Sequence, residues 1–144
     1  MPLSCILVAT DGSPGGSRAV TAAAELAKAM DGDLLIVTLP DSVQLPELAD
    51  LARAERGMPA ALELLETGIL RQAKERAESI GAPRVRTWTG SGDVAQTIIE
   101  TAKREKADLI VVGRRGRGEL ADLLLGSVSQ KLVSLAPSLV LVVP

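Results

Sequence analysis

Two glycine pairs near the carboxyl end carry the most chemistry in this chain. Gly113-Arg114-Arg115-Gly116 is followed, nine residues later, by Gly126-Ser127-Val128-Ser129, and the first pair is launched from the apolar run Leu109-Ile110-Val111-Val112. A strand ending in glycine lets the main chain turn tightly and approach a ligand. A glycine-serine pair opening a helix supplies free amides and a hydroxyl. The pattern therefore reads as a phosphate cradle, with a nucleotide as the leading ligand. Ordinary turn and cap glycines, Gly118 among them, are the plainer alternative, but they leave so many donors at one point unexplained. Arg114, Arg115 and Arg117 either clamp phosphate oxygens or lie in solvent, and together their field favours an anion.

Asp11 closes the first apolar run, where a carboxylate can accept from a ribose hydroxyl, help position a metal-bound phosphate, or close an Asx-turn. Ligand contact is the favoured reading, and it does not exclude the turn. Ser13 and Ser17 read as helix caps. No Gly-Lys-Ser or Gly-Lys-Thr occurs, which disfavours a kinase or motor ATPase. The glycines at 12, 15 and 16 have the wrong spacing for a dinucleotide fingerprint, so NAD or FAD use is not expected. The chain has no His, which removes the side chain best suited to proton transfer near neutral pH.

Sixteen Lys plus Arg against eighteen Asp plus Glu, a net charge of −2, argue against a nucleic-acid-coating surface. The only aromatic residue is Trp88, so base-stacking platforms are missing; Trp88 itself reads as a packing or edge residue. Cys5 is the single cysteine, which excludes an internal disulfide and a Cys/His zinc cluster; its place in an apolar run suggests a small core residue. Residues 103–106, Lys-Arg-Glu-Lys, read as a solvated helix end. No signal sequence or membrane span is visible, and a reducing, cytoplasmic setting is expected.

These groups need a scaffold, and the hydrophobic pattern specifies one. Apolar runs at 5–9, 34–38, 85–89, 109–112 and 139–143 read as strands, and helical spacing covers 17–30, 60–80, 94–106 and 127–135. Residues 40–59, broken by prolines, form a connection with a short helical turn near 47–56. Strict alternation of unalternated aliphatic strands with helices predicts one domain over 1–144, a doubly wound open parallel sheet between two helical layers. Ligands of such sheets bind beyond the carboxyl ends of the strands, where the winding reverses. Asp11, Thr38, Gly90 and Gly113 all stand there.

The opening Ile6-Leu7-Val8-Ala9-Thr10-Asp11-Gly12-Ser13, the segment Ala107-Asp108-Leu109-Ile110-Val111-Val112-Gly113, the Gly-x2-Gly-x9-Gly-Ser pattern and the closing residues 137–143 resemble the universal stress protein family, in its ATP-binding branch. The resemblance implies a Rossmann-like α/β/α sandwich of the adenine nucleotide alpha hydrolase type, with five parallel strands in the order 3-2-1-4-5. It implies ATP, with Mg2+ held through the phosphates, bound between the first and fourth strands. Thr10 and Asp11 would stand near ribose and phosphates, and the backbone of Val37 and Thr38 would meet adenine. Gly113, Arg114, Gly116, Gly126, Ser127, Val128 and Ser129 match the phosphate-binding segment. A homodimer through residues 139–143 is implied as well, which would cover an otherwise exposed apolar edge. The tail departs from the family pattern in lacking a second proline after Pro137.

Three functions follow. The first is a nucleotide-dependent stress or signalling protein with slow or no hydrolysis, since neither His nor a P-loop lysine is present to assist phosphoryl transfer. The second is a dimeric interaction module that needs no nucleotide. The third, an ATP pyrophosphatase-type enzyme using 13–17 as a degenerate phosphate loop, is the weakest, because that loop lacks an acidic residue before its last serine.

Overall fold

A computed structural model describes residues 2–39, 57–114 and 126–144. The helical turn expected at 47–56, and Arg115, Gly116, Arg117 and Gly118 of the glycine loop, lie outside these residues. Strands β1 (Cys5–Ala9), β2 (Asp33–Thr38) and β4 (Leu109–Gly113) are continuous aliphatic runs because helices cover both of their faces. Strands β3 (Arg84–Thr89) and β5 (Leu139–Val143) form the two edges and mix exposed with half-buried positions. All pair in parallel in the order β3-β2-β1-β4-β5.

The period of two along each strand divides the core between two faces. Ile6, Val8, Leu34, Ile36 and Val111 pack with alanines of α1 (Pro14–Met30) and with Leu70, Ala73 and Ala77 of α2 (Met58–Ile80). Leu7, Leu35, Val37, Ile110 and Val112 pack with Ile98, Ile99 and Ala102 of α3 (Val94–Arg104) and with Leu132 of α4 (Ser127–Leu135). The chain thus winds β1-α1-β2-α2-β3 over one face, then crosses to place α3 and α4 on the other. Between neighbouring β1 and β4 the outgoing loops diverge to opposite faces, leaving a crevice at their carboxyl ends.

Local chemistry moves some of the expected boundaries. Helix α1 starts at Pro14 rather than at Ser17, because Ser13 caps it by accepting from the Gly16 N–H at 3.1 Å and proline suits the first helical position. Ser17 is inside the helix, its N–H bonded to the Ser13 carbonyl at 2.9 Å, so only Ser13 is a cap. Helix α3 is capped by Asp93, whose side chain accepts from the Gln96 N–H, and it ends at Arg104 rather than at 106, since Lys106 takes a left-handed φ of 55° and the Ala107 N–H returns to the Ala102 carbonyl.

The amino edge of the sheet is held by paired polar groups. Asp108 accepts from the N–H groups of Ser4 and Cys5 at 2.9 and 3.0 Å, and its own N–H donates to the Cys5 carbonyl at 2.8 Å. Arg84 pairs with Asp33, and Arg86 with Glu105 at 3.0 Å. The helix end expected to be solvated is in fact partly engaged: besides Glu105, Arg104 stacks 4.8 Å from the Trp88 ring, which packs on the second core. Cys5 is half-buried rather than fully inside, and burial pushes its thiol pKa up against the opposing pull of Arg86. That suits an inert residue. Asp108→Ala removes the acceptor that fixes the start of β1, and urea denaturation is expected to show a loss of about 1–2 kcal/mol.

Candidate functional site

At the carboxyl edge the sheet's hydrogen bonding continues past the strand ends. The Thr10 N–H donates to the Val37 carbonyl at 3.0 Å and the Gly90 N–H to the Thr38 carbonyl at 3.1 Å. The two carbonyls in the segment expected to face adenine thus each accept from the end of a neighbouring strand. The Val37 side chain is fully buried in the second core, and the Thr38 hydroxyl is buried with no hydrogen-bond partner among the described residues.

Beyond β1 the chain turns at once. The Thr10 hydroxyl accepts from the Gly12 N–H at 3.2 Å, and an Asp11 carboxylate oxygen accepts from the Ser13 N–H at 2.9 Å. The Asx-turn anticipated for Asp11 is therefore formed, and Gly12 takes the φ of 80° that this tight turn demands. Helix α1 then starts so close to the strand that a Cβ on Gly16 would stand 2.5 Å from the Thr10 hydroxyl and 3.0 Å from the Asp11 carboxylate.

On the β4 side, main-chain bonds bring the two halves of the glycine pattern together. Arg114 donates its N–H to Val143 at 2.6 Å and accepts from the Gly126 N–H at 2.8 Å. The Ser129 hydroxyl, expected to meet phosphate, donates to the carbonyls of Gly113 and Arg114 at 2.8 and 3.1 Å, strapping α4 to the end of β4. Gly126 is the N-cap of α4 in extended conformation at φ −67°, with no side-chain cap. The first intrahelical bond is Gln130 N–H to Gly126 carbonyl, so the amides of Ser127, Val128 and Ser129 precede it. Neither Gly113 nor Gly126 has positive φ. Neither position therefore needs glycine for its dihedrals. Arg114 Nε is buried with no hydrogen-bond partner among the described residues. Thr10, Asp11, Gly113 and Arg114 belong to the carboxyl ends of adjacent β1 and β4 or to the turns that follow, and Gly126, Ser127, Val128 and Ser129 to the N-cap and first turn of α4. Thr38 is one strand away. Gly116 lies outside the described residues.

Residues 4–144 match the model of the universal stress protein family. The chain belongs to that family. A universal stress protein of Thermus aquaticus is 40% identical over 141 residues, covering 96% of both chains. A crystal structure of a universal stress protein in complex with cAMP superposes with a TM-score of 0.73 at 31% identity, covering 99% of this chain and 98% of the other. At 20% identity, the Archaeoglobus fulgidus universal stress protein solved with dAMP shares the fold over the full length of both chains, with a TM-score of 0.70. The Rossmann-like α/β sandwich and strand order implied by the family resemblance are thus the ones observed.

One polar residue of this universal stress protein fold escaped the sequence reading. Glu66 of α2 is only 6% exposed, and its Oε2 has no hydrogen-bond partner among the described residues. Burial, with a smaller contribution from nearby Glu63, raises its carboxyl pKa. The available signal was its spacing, for 66, 70, 73 and 77 form one helical stripe whose other members, Leu70, Ala73 and Ala77, are core residues.

Two outcomes follow. Gly16→Ala is expected to cost about 1–3 kcal/mol in chemical denaturation, as the new methyl must displace Thr10 or Asp11. Because Glu66 binds its proton more tightly folded than unfolded, its stabilising contribution is complete below the ordinary carboxylate range and is lost as pH rises through the raised pKa. Thermal melts should therefore show Glu66→Gln raising Tm relative to the parent near pH 7 and changing it little near pH 4.

Proposed function

We propose that the chain binds an adenine nucleotide, ATP with Mg2+ carried on its phosphates, over the carboxyl ends of β1 and β4, and acts as a nucleotide-dependent stress-response or signalling protein with slow or no hydrolysis. The observation that carries this reading is the start of α4. Helices α1 and α3 are capped by their own Ser13 and Asp93, whereas α2 and α4 open on Gly57 and Gly126 with no side-chain cap, and α4 starts where Arg114, whose Nε is buried with no partner among the described residues, is bonded to Gly126. An uncapped helix N-terminus beside a guanidinium suits a phosphate in charge and in hydrogen-bond donors. The 31% identical relative solved with cAMP supports an adenine nucleotide as the ligand class.

Mg2+ would arrive on the phosphates of the nucleotide. The ribose and inner phosphates would face Asp11 and the Gly12 turn, and the outer phosphates the amides of residues 127–129. Without His or a P-loop lysine, the chain is suited to holding the triphosphate rather than cleaving it. Nucleotide occupancy would then set a conformational or partner-binding equilibrium.

Association through β5 belongs to the same proposal. This strand is an edge of the sheet, and Leu139 and Leu141 on it are exposed. A second copy pairing there would cover both. Calorimetric titration of the purified protein with ATP and Mg2+ should give saturable binding, and the double variant Gly113→Val, Gly126→Val should abolish it, since added side chains block the close approach. Absence of heat at high protein concentration, with no adenine nucleotide released from the purified protein into mass spectrometry, would overturn the reading.

A further inference from the structure

The hydroxyl of Ser129 is committed inside the protein. Ser129 is only 2% exposed, and its Oγ donates to the carbonyls of Gly113 and Arg114 at 2.8 and 3.1 Å. A serine hydroxyl carries a single proton, and the oxygens of an ionised phosphate accept hydrogen bonds. While the two carbonyls share that proton, none is left for a phosphate. The main-chain amide of the same residue is placed differently. It lies in the first turn of α4, ahead of the Gln130 N–H to Gly126 carbonyl bond that opens the helical ladder. One residue thus leaves its amide in the open set at the helix start and ties its side chain to the end of β4.

Residues 115–125 separate Arg114 from Gly126 in the sequence, so connectivity alone does not set how the two ends meet. Hydrogen bonds do. The Gly126 N–H donates to the Arg114 carbonyl at 2.8 Å, and the Arg114 N–H donates to the Val143 carbonyl at 2.6 Å, at the last residue of β5. The Gly126 bond by itself is a pivot. Ser129 stands three residues further on, roughly 4.5 Å along the helix axis, and its hydroxyl supplies a second point that fixes the direction of the first turn. Val128 and Leu132 pack on the second core and hold the body of α4. The hydroxyl sets its opening against Arg114.

We propose that Ser129 is a positioning residue of the phosphate site, whose hydroxyl acts on the main chain of Gly113 and Arg114 and not on the phosphate. The proposal rests on the nucleotide reading above. It departs from the family resemblance, under which Ser129 is grouped with the phosphate-binding residues without distinction between hydroxyl and amide. The bond holds the amides of residues 127–129 and the Arg114 guanidinium in one arrangement before a ligand arrives, so that less ordering is required on binding. The serine at this helix start whose side chain is exposed is Ser127.

Titrations of the parent, Ser129→Ala and Ser129→Thr with ATP, inorganic tripolyphosphate and adenosine test this. Alanine keeps the helix and the amide and removes only the hydroxyl. Ser129→Ala is expected to weaken ATP and tripolyphosphate by about tenfold and to leave adenosine unchanged, while Ser129→Thr, which keeps a hydroxyl, stays within about twofold of the parent. Ser129→Cys, close in size but a poor donor, takes the place of Ser129→Ala should that variant fold badly. Carbonyl 13C spectra separate positioning from contact. The Gly113 and Arg114 carbonyl resonances of the parent should differ from those of the hydroxyl-free variant both before and after loading with ATP, because the bond persists. If loading abolishes that difference, the hydroxyl has turned to the phosphate and the positioning role is overturned. It is overturned equally if the hydroxyl-free variant binds ATP and tripolyphosphate like the parent, or loses adenosine to the same degree; in each of these cases the parent still binds ATP and the nucleotide reading survives. A parent that binds none of the three probes ends the nucleotide reading and the positioning role together.

Discussion

The parallel pairing of β1 with β4, Ile6 to Leu109 through Val8 to Val111, is the constraint on which the site depends. There adjacent strands send their helices to opposite faces and their chains onward in opposite directions across the sheet, so the ends of two strands face open space instead of a crossover. Residues a hundred positions apart become neighbours because β1 is central and β4 lies directly beside it. Their pairing in turn needs both faces covered, which the alanine-rich α1 achieves on one side by close packing and α3 achieves with Ile98 and Ile99 on the other. A bulkier α1 would stand off the sheet and carry the Gly16 approach away with it.

Main-chain bonds then set the shape of the crevice. Arg114 links three elements at once, through Val143 of the edge strand, Gly126 at the start of α4 and the Ser129 hydroxyl. The opposite wall is built by the Asp11 and Ser13 turns, with Arg18 of α1 reaching the Pro144 carbonyl at 2.8 Å across the top of β4 and β5. Each of these bonds has a main-chain amide or carbonyl at one end at least, closed on most of them by a short Asp, Ser or Thr side chain. That explains why the legible signal was glycine and serine spacing instead of a charged constellation.

Much of this was readable in advance. Aliphatic runs buried on two faces announce parallel strands, and the five observed strands fall within one residue of the expected bounds. The capped start of α1 was misplaced because Pro14-Gly15-Gly16 looks like loop, although Pro14 and the Ser13 cap together favour a helix. Spacing could not show that Ser129 would spend its hydroxyl on the main chain, because that choice is made by the angle at which α4 meets β4. Glu66 was hidden for a different reason. A carboxylate on a helix is read as solvent-facing by default, and only its register with Leu70, Ala73 and Ala77 says otherwise.

The distribution of satisfied and unsatisfied polar groups separates the two ends of the sheet. At the amino edge Asp108 meets two amides, Arg84 meets Asp33 and Arg86 meets Glu105. At the carboxyl edge the Thr38 hydroxyl and Arg114 Nε are buried with no hydrogen-bond partner among the described residues, and α4 starts without a side-chain cap. A fold selected for stability alone would have little reason to concentrate such costs at one end, since each orphan group forfeits on the order of 1–3 kcal/mol. Edge position does not account for the difference, because both ends of the sheet border loops and solvent. What separates them is that the carboxyl end is where the topology leaves a crevice between β1 and β4, and the donors left open there, the amides of residues 127–129 and the Arg114 guanidinium, suit the phosphates of the proposed nucleotide.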